Sequence, residues 1–540
     1  MDTAAREAIL ASAFRHAKVL KPKSLVSVCL ALIDGKGPKP LQQLIDQLDD
    51  GWFDYAVASI YTLMMPAERR KKLGAYFTPP HLVAHLISRM EAAGLDLLSH
   101  KMHDPAAGGA AFIVPIVDAV VERHLKLGKP AKLILRDLRA RLSGMELDQG
   151  LARIANALLR RALMTRHGIS CPIGFELVAI GDSLRVHQKP KHSVVGNPPY
   201  AKVGAEGQKR WATKFPDILG GQLNLYAMFL RQSIEQVQPG GLVGFIVPTS
   251  FIGGPEFQRL RKALAARADI LCLDLVEKRS GLFLDVIQDA CFIVLRRHEA
   301  HRGQDVCQAP VMCGLLHADG SIEEMGSFLP ASNGAPWILP SLNDAGTGGH
   351  VLEDYGYRVQ VGYLVINRQR ERLHDHHRRG LLPLIEARTV GLDGSFPAGK
   401  HAMRWVSPSP KGGGLIASAC VAVQRTSNRK QKRRIHAAPI PDSFVRRHGG
   451  IIGENHVIFV IPSLTPKVSP EVMSRLLNSA PVNDKYGRMC GTVSLSAKLL
   501  AMLDLPAPEH ALRLVSCAEG CVDSVVADAY ARSSENSQPQ

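Results

Sequence analysis

Four consecutive residues, Asn197-Pro198-Pro199-Tyr200, close the short apolar run Ser193-Val194-Val195-Gly196. Consecutive prolines fix φ and remove two N–H donors, so the Asn197 side-chain oxygen and the Pro198 carbonyl are presented outward as acceptors with no internal competition. Such a pair suits an exocyclic amine on a heteroaromatic ring, a poor nucleophile because its lone pair is delocalised. Two acceptors that take its two hydrogens hold the nitrogen closer to tetrahedral and let the lone pair point in line at an electrophile. That is catalysis by positioning and electrostatic preorganisation, with no covalent nucleophile or strong base required before attack. Tyr200 then offers a face on which an extracted base can stack. Out of context the same string reads as a turn or a polyproline ligand, so the residues before it carry the decision.

Those residues form a series of strand-end loops. Asp104-Pro105-Ala106-Ala107-Gly108-Gly109-Ala110-Ala111-Phe112 places an acid before a stretch of nearly side-chain-free residues, where backbone can approach a nucleotide-like ligand closely. Gly144-Met145-Glu146-Leu147-Asp148 follows about 40 residues on, with a carboxylate suited to accept both ribose hydroxyls. Gly181-Asp182-Ser183-Leu184 supplies a third acid that can accept from an adenine amine. A small-residue loop alone is as often a plain tight turn, and each acid alone is more often a surface carboxylate. Three in this order, followed by the Asn-Pro-Pro-Tyr turn, point to methyl transfer from a nucleoside cofactor. From Leu73 to Arg297 short apolar runs alternate with amphipathic stretches, which predicts a doubly wound α/β sheet.

These motifs, from Phe77 to Leu295, resemble the amino-group DNA methyltransferases of the γ arrangement, in which the cofactor half precedes the catalytic motif and the recognition domain comes last. The resemblance implies a Rossmann-like fold, S-adenosylmethionine as cofactor, and transfer to the N6 amine of adenine flipped out of duplex DNA. By the same resemblance Tyr76, Phe77, Thr78 and Pro79 approach the methionine end of the cofactor, with Asp104, Pro105, Ala106 and Gly108 forming its loop. Glu146 would hold the ribose and Asp182, with Ser183, the adenine; Asn197, Pro198, Pro199 and Tyr200 would hold the target base, with Phe283 packed on it. The loop departs from the family's usual form, with Ala107 for Cys, Gly109 for Ser and Ala110 for Gly, exchanges that keep the backbone approachable. Cytosine-N4 enzymes commonly have Ser where Asn197 stands, which favours adenine. The same turn also serves glutamine-amide and ribosomal-RNA methylation, and a recognition module without turnover is a further alternative.

A chain of 540 residues calls for more than one domain. The expected plan is a helical region over 1–70, a methyltransferase domain over 71–300, a linker or docking segment over 301–348, a mixed α+β recognition domain over 349–510, and a tail over 511–540. A net charge of +17 suits a polyanion such as double-stranded DNA. The densest basic run supplies Arg425, Asn428, Arg429, Lys430, Lys432, Arg433 and Arg434, suited to phosphates or guanine edges; a solvated basic loop is the alternative. Short motifs here, among them Gly453-Glu454-Asn455-His456, are similar in order to recognition domains of the Eco57I and PstI/BsuBI type of restriction–modification methyltransferases. This implies a modification enzyme whose cognate endonuclease is encoded separately. No Glu stands two residues before a Lys and no Cys follows a Pro, which argues against a fused nuclease and against a cytosine-C5 thiolate mechanism. His374-Asp375-His376-His377 sits among arginines that oppose a cation, so no metal is expected. No apolar run reaches membrane-spanning length, and the N-terminus reads as a cytoplasmic helix.

Overall fold

The computed structural model describes residues 2–73, 78–172, 174–220, 223–277, 290–299, 309–317, 319–340, 348–397, 403–409, 413–426, 433–463, 465–489 and 495–535. They form two compact units, Met1–Phe251 with Glu256–Trp337, and Ile252–Pro255 with Ile338–Gln540.

The first unit begins with helices α1 (Thr3–Val19), α2 (Leu25–Ile33), α3 (Lys39–Ile45), α4 (Asp50–Met64) and α5 (Ala67–Leu73). Asp2, Ser24 and Asp49 cap the first turns of α1, α2 and α4, each such cap contributing about 1 kcal/mol. The alternating part follows: α6 (Pro80–Ala92), β1 (Met102–Asp104), α7 (Ile113–Lys126), α8 (Ala131–Arg141), β2 (Leu142–Glu146), α9 (Gln149–His167), β3 (Val178–Ile180) and β4 (Lys191–Gly196). Then come α10 (Ala205–Trp211), α11 (Leu225–Gln236), β5 (Val237–Pro248), α12 (Ser250–Gly253), α13 (Gln258–Ala265), β6 (Ala268–Val276) and β7 (Ala290–Arg297). With β8 (Val311–Leu316) and β9 (Ile322–Phe328) they complete a nine-stranded sheet in the order β3-β2-β1-β4-β5-β7-β6-β8-β9. The strands from β3 to β5 are parallel, and β7 runs antiparallel between β5 and β6. Central β5 is buried from Leu242 through Pro248, as a strand covered on both faces must be.

Leu10, Phe14, Ile45 and Tyr61 of the leading helices share one apolar cluster with Phe112, Leu158 and Val195 of the α/β part. The helices therefore pack as part of the sheet's cover. Within the segment expected as a linker, β8 and β9 extend the sheet and Trp337 is buried against Phe251 and Phe328. Composition concealed this because β9 is an edge strand whose residues are mostly exposed, leaving no strong alternation to read.

The second unit holds β10 (Tyr357–Val361), β11 (Leu373–His374), β12 (Leu382–Ile385), β13 (Trp405–Val406), β14 (Leu415–Ile416), β15 (Cys420–Gln424), β16 (Ala437–Ile440), β17 (Ile451–Gly453) and β18 (Val457–Pro462). One sheet has the order β10-β18-β15-β16 and the other β11-β13-β12-β17-β14. Helix α14 (Asp442–His448) follows β16; α15 (Pro470–Asn478), α16 (Ala480–Met489), α17 (Ala497–Ala501), α18 (Pro508–Ala511) and α19 (Val522–Glu535) come after the last strand. Alternate residues of β18 serve two cores: Ile458 and Val460 join Met473, Leu476 and Tyr486, while Phe459 and Ile461 join Ile385 and Ile451. The stretch expected as a tail from 511 is largely packed, since Leu514, Val526 and Tyr530 are fully buried. Val522, Val526 and Tyr530 recur every four residues along one face of α19, a sparse apolar pattern that the polar ending beyond it obscures.

Candidate functional site

Strand order reverses between β1 and β4, and in an open α/β sheet the crevice at such a switch point, beyond the carboxyl ends, is where ligands sit. Asp104 ends β1 and Gly196 ends β4, so the first loop and the Asn-Pro-Pro-Tyr turn leave the sheet side by side. The two strands approach so closely that a Cβ on Gly196 would lie 2.7 Å from Asp104 Oδ1. Replacing Gly196 by Ala should therefore displace the Asp104 carboxylate and break its 3.0 Å bond from the Ala106 N–H. The expected loss is about 1–3 kcal/mol of stability, read by urea unfolding, together with weaker cofactor binding.

After Asp104 the backbone coils tightly. Gly108 has φ 52° and Ala110 φ 63°; for an L-residue the left-handed region costs roughly 1–2 kcal/mol, and Ala110 is the position where the resemblance expects Gly. The turn aims the Gly108 N–H at Glu146 Oε2, 2.9 Å away, while the Asp148 N–H donates to Glu146 Oε1 at 2.8 Å. Burial raises the Glu146 pKa and these N–H donors oppose that rise. Asp148 itself caps α9 through the Gly150 and Leu151 N–H groups and accepts from Tyr61 and Arg69, both at 2.8 Å. The leading helices thereby fix the end of β2 on which Glu146 stands. Ser183 Oγ donates to the Pro105 carbonyl at 2.6 Å, tying the third loop to the first. Asp182 receives the Leu184 N–H at 3.1 Å and pairs with the exposed Arg185 at 3.1 Å.

Asn197 Nδ2 donates to Thr78 Oγ1 at 3.0 Å, and Asn197 Oδ1 is buried without a hydrogen-bond partner. Thr78 is 3% exposed and precedes Pro79, the N-cap of α6. Tyr200 is 7% exposed, its hydroxyl donating to the Ile246 carbonyl at 3.4 Å and its ring edge-on to Tyr226 at 6.2 Å. These contacts hold the turn down on β5, and Pro198 beside it is buried.

Asp104 is 1% exposed, and its Oδ2 is a second buried acceptor without a partner. Desolvation pushes its carboxyl up to about 8, with the nearby Glu146 charge adding to the rise. A pKa raised above its unfolded value contributes stability below the unfolded pKa that is lost as pH rises toward the folded one. The Asp104→Asn protein should therefore gain on wild type progressively between about pH 4 and pH 8 and level off above, measured as the difference in urea-unfolding free energy at each pH.

Two orphaned buried acceptors in one crevice, beside a coil of small residues, fit a polar ligand with cationic and amine groups, the character of S-adenosylmethionine. Sequence reasoning missed two residues there. Leu147 and Ile180, at the carboxyl ends of β2 and β3, are 61% and 57% exposed; an apolar residue set between Glu146 and Asp148 was the available signal. The crevice thus gathers Thr78, Pro79, Asp104, Pro105, Ala106, Gly108, Glu146, Asp182, Ser183 and Asn197. Tyr76, Phe77 and Phe283 lie outside the described residues, as do Asn428, Arg429, Lys430 and Lys432. Of the rest of that basic run, Arg425 donates to the Asn455 carbonyl at 3.0 Å and Arg433 to those of Asn478 and Leu392 at 3.1 and 2.9 Å. The Arg434 N–H donates to Asn483 Oδ1 at 2.9 Å. Among the described residues no group of His, Cys, Asp or Glu is arranged to hold a metal, and no helix is long and apolar enough to cross a membrane.

Residues 56–311 match the N-6 DNA Methylase family. The chain is 24% identical over 362 residues to Type II methyltransferase M.BsuBI of Bacillus subtilis, covering 61% of this chain and 67% of that one. It is 25% identical over 276 residues to Type II methyltransferase M.PstI of Providencia stuartii, covering 46% and 52% respectively, so it spans about half of that relative. Among solved structures, the Type IIL restriction–modification enzyme MmeI in complex with DNA has the same fold at TM-score 0.57 and 13% identity, over 92% of this chain and 80% of that one. The DrdV–DNA complex matches at TM-score 0.54 and 13% identity, over 90% and 60%.

Proposed function

We propose that the chain, whose residues 56–311 match the N-6 DNA Methylase family, is an S-adenosylmethionine-dependent enzyme of the restriction–modification type that methylates adenine at a specific duplex site by flipping the base into the crevice between β1 and β4. The observation that carries this reading is Asn197, held by Thr78 through its amide nitrogen with its oxygen buried and unpartnered. That oxygen accepts one hydrogen of the adenine amine and the Pro198 carbonyl the other, which takes the nitrogen lone pair out of conjugation with the ring. The cofactor, when bound, supplies an electrophilic methyl carbon on a positively charged sulfur. Glu146 accepts the ribose hydroxyls, Asp182 the adenine amine, and Leu147 and Ile180 present apolar surface to the purine. Asp104 Oδ2, together with Thr78 and Pro79, faces the methionine end. A closed, low-dielectric crevice strengthens each of these bonds, and Asn197 has no need to remove a proton before attack.

The complexes of MmeI and DrdV with DNA and the net charge of +17 support a DNA substrate. In this reading the second unit recognises the duplex, a separately encoded endonuclease acts at the same site, and transfer requires no metal. Modified-base sequencing of genomic DNA from cells expressing the chain should find N6-methyladenine at one recurrent sequence. Methylation confined to cytosine would contradict the reading.

A further inference from the structure

The second unit concentrates cationic side chains on a face assembled from three separate stretches of sequence. The loop after β11 carries His377, Arg378 and Arg379, all exposed. The His377 ring lies 4.4 Å from that of Trp405 on β13, and the Trp405 ring lies 5.2 Å from that of His448, the last residue of α14. His377 and His448 are themselves 6.1 Å apart. Phe444 packs on His448 at 4.9 Å, so the aromatic group is anchored to the unit's interior side. Around this cluster stand Arg446 and Arg447 from the last turn of α14.

Carboxylates do not account for these charges. Arg446 pairs with Asp442 one turn earlier, which explains that residue alone. Among the described residues no carboxylate is paired with Arg378, Arg379 or Arg447. Gathering like charges without counter-ions costs free energy through mutual repulsion, and a helix C-terminus offsets only a fraction of it. In the described part of the basic run, Arg425 Nη1 and both terminal nitrogens of Arg433 are engaged by backbone carbonyls.

We infer that the face formed by Arg378, Arg379 and Arg447 around the Trp405–His377–His448 ring cluster binds the phosphate backbone of duplex DNA. The inference rests on the DNA-methyltransferase reading and assigns the phosphates to this face instead of to Arg425 and Arg433. Guanidinium groups meet phosphate oxygens bidentately, and each neutralised phosphate releases counterions.

The test is fluorescence anisotropy of the full chain on a labelled duplex containing its methylation site, titrated at several salt concentrations. The Arg378→Ala/Arg379→Ala/Arg447→Ala protein should bind about tenfold or more weaker, and the slope of log affinity against log salt should fall by about 2–3, near 0.9 for each phosphate no longer neutralised. Thermal unfolding and S-adenosylmethionine affinity should be unchanged, and Lys129→Ala/Lys132→Ala, which removes two exposed charges from the first unit, should leave the slope as in wild type. An unchanged slope in a triple variant that still methylates DNA overturns the face and leaves the enzyme's function standing. A wild-type chain that neither binds nor methylates duplex DNA overturns both.

Discussion

The Asn197→Ala protein should lose turnover by about 10²–10³-fold while its affinity for S-adenosylmethionine changes little, the scale seen when one preorganised polar group is removed from a transition-state site. Asn197 spends its amide nitrogen on Thr78 and keeps a buried oxygen without a partner. An unpartnered buried acceptor costs about 1–3 kcal/mol, so its removal offsets the loss of the Thr78 hydrogen bond and should leave the apo protein about as stable as wild type. The combination is diagnostic: a large fall in kcat, an unaltered cofactor Kd from calorimetry, and no fall in unfolding free energy. A fall in kcat with an equal loss of stability would make Asn197 a packing residue only.

Replacing Glu146 by Ala should act on the other half of the reaction. Its two oxygens accept the Gly108 and Asp148 N–H groups at 2.9 and 2.8 Å, which orients the carboxylate for the ribose hydroxyls. Hydrogen bonds to a charged acceptor contribute about 1.5–3 kcal/mol each, so loss of even one raises cofactor Kd roughly 10–100-fold, with kcat at saturating cofactor falling far less. Calorimetric titration separates this from Asn197→Ala, in which the Kd is spared. Because the Asp148 N–H lies on the same turn that Tyr61 and Arg69 hold through the Asp148 carboxylate, the helices before residue 73 brace the strand end on which Glu146 stands.

The α/β sheet and the loops at its carboxyl ends were legible in the sequence because each depends on local pattern. Short apolar runs mark strands, and Asp104, Glu146, Asp182 and Asn197 each follow one. Pairings that join distant segments were not legible. Nothing near Thr78 announces that it meets Asn197 119 residues later, and Tyr61 meets Asp148 across 87. Leu147 was visible as an apolar residue between two acids, yet its exposure is a property of the folded strand end. The edge strand β9 escaped notice because an exposed strand need not alternate, and α19 because its large buried residues, Val522, Val526 and Tyr530, come only once a turn. In the recognition half, charge density along the chain pointed to the run from Arg425 to Arg434, of which 427–432 lie outside the described residues; Arg425 Nη1 and the two terminal nitrogens of Arg433 donate to carbonyls. The exposed arginines converge instead from 378–379 and 447, a clustering that spacing along the chain cannot express.

Transfer of a methyl group to the N6 amine of adenine in duplex DNA is measured most directly by incubating the purified chain with S-adenosylmethionine labelled in the methyl group and unmethylated duplex DNA. Digestion to nucleosides and separation of the labelled products follow. Label is expected in N6-methyldeoxyadenosine alone, reduced about 10²–10³-fold by Asn197→Ala. Label in N4-methyldeoxycytidine, or in RNA or protein with none in DNA, would contradict transfer to adenine N6.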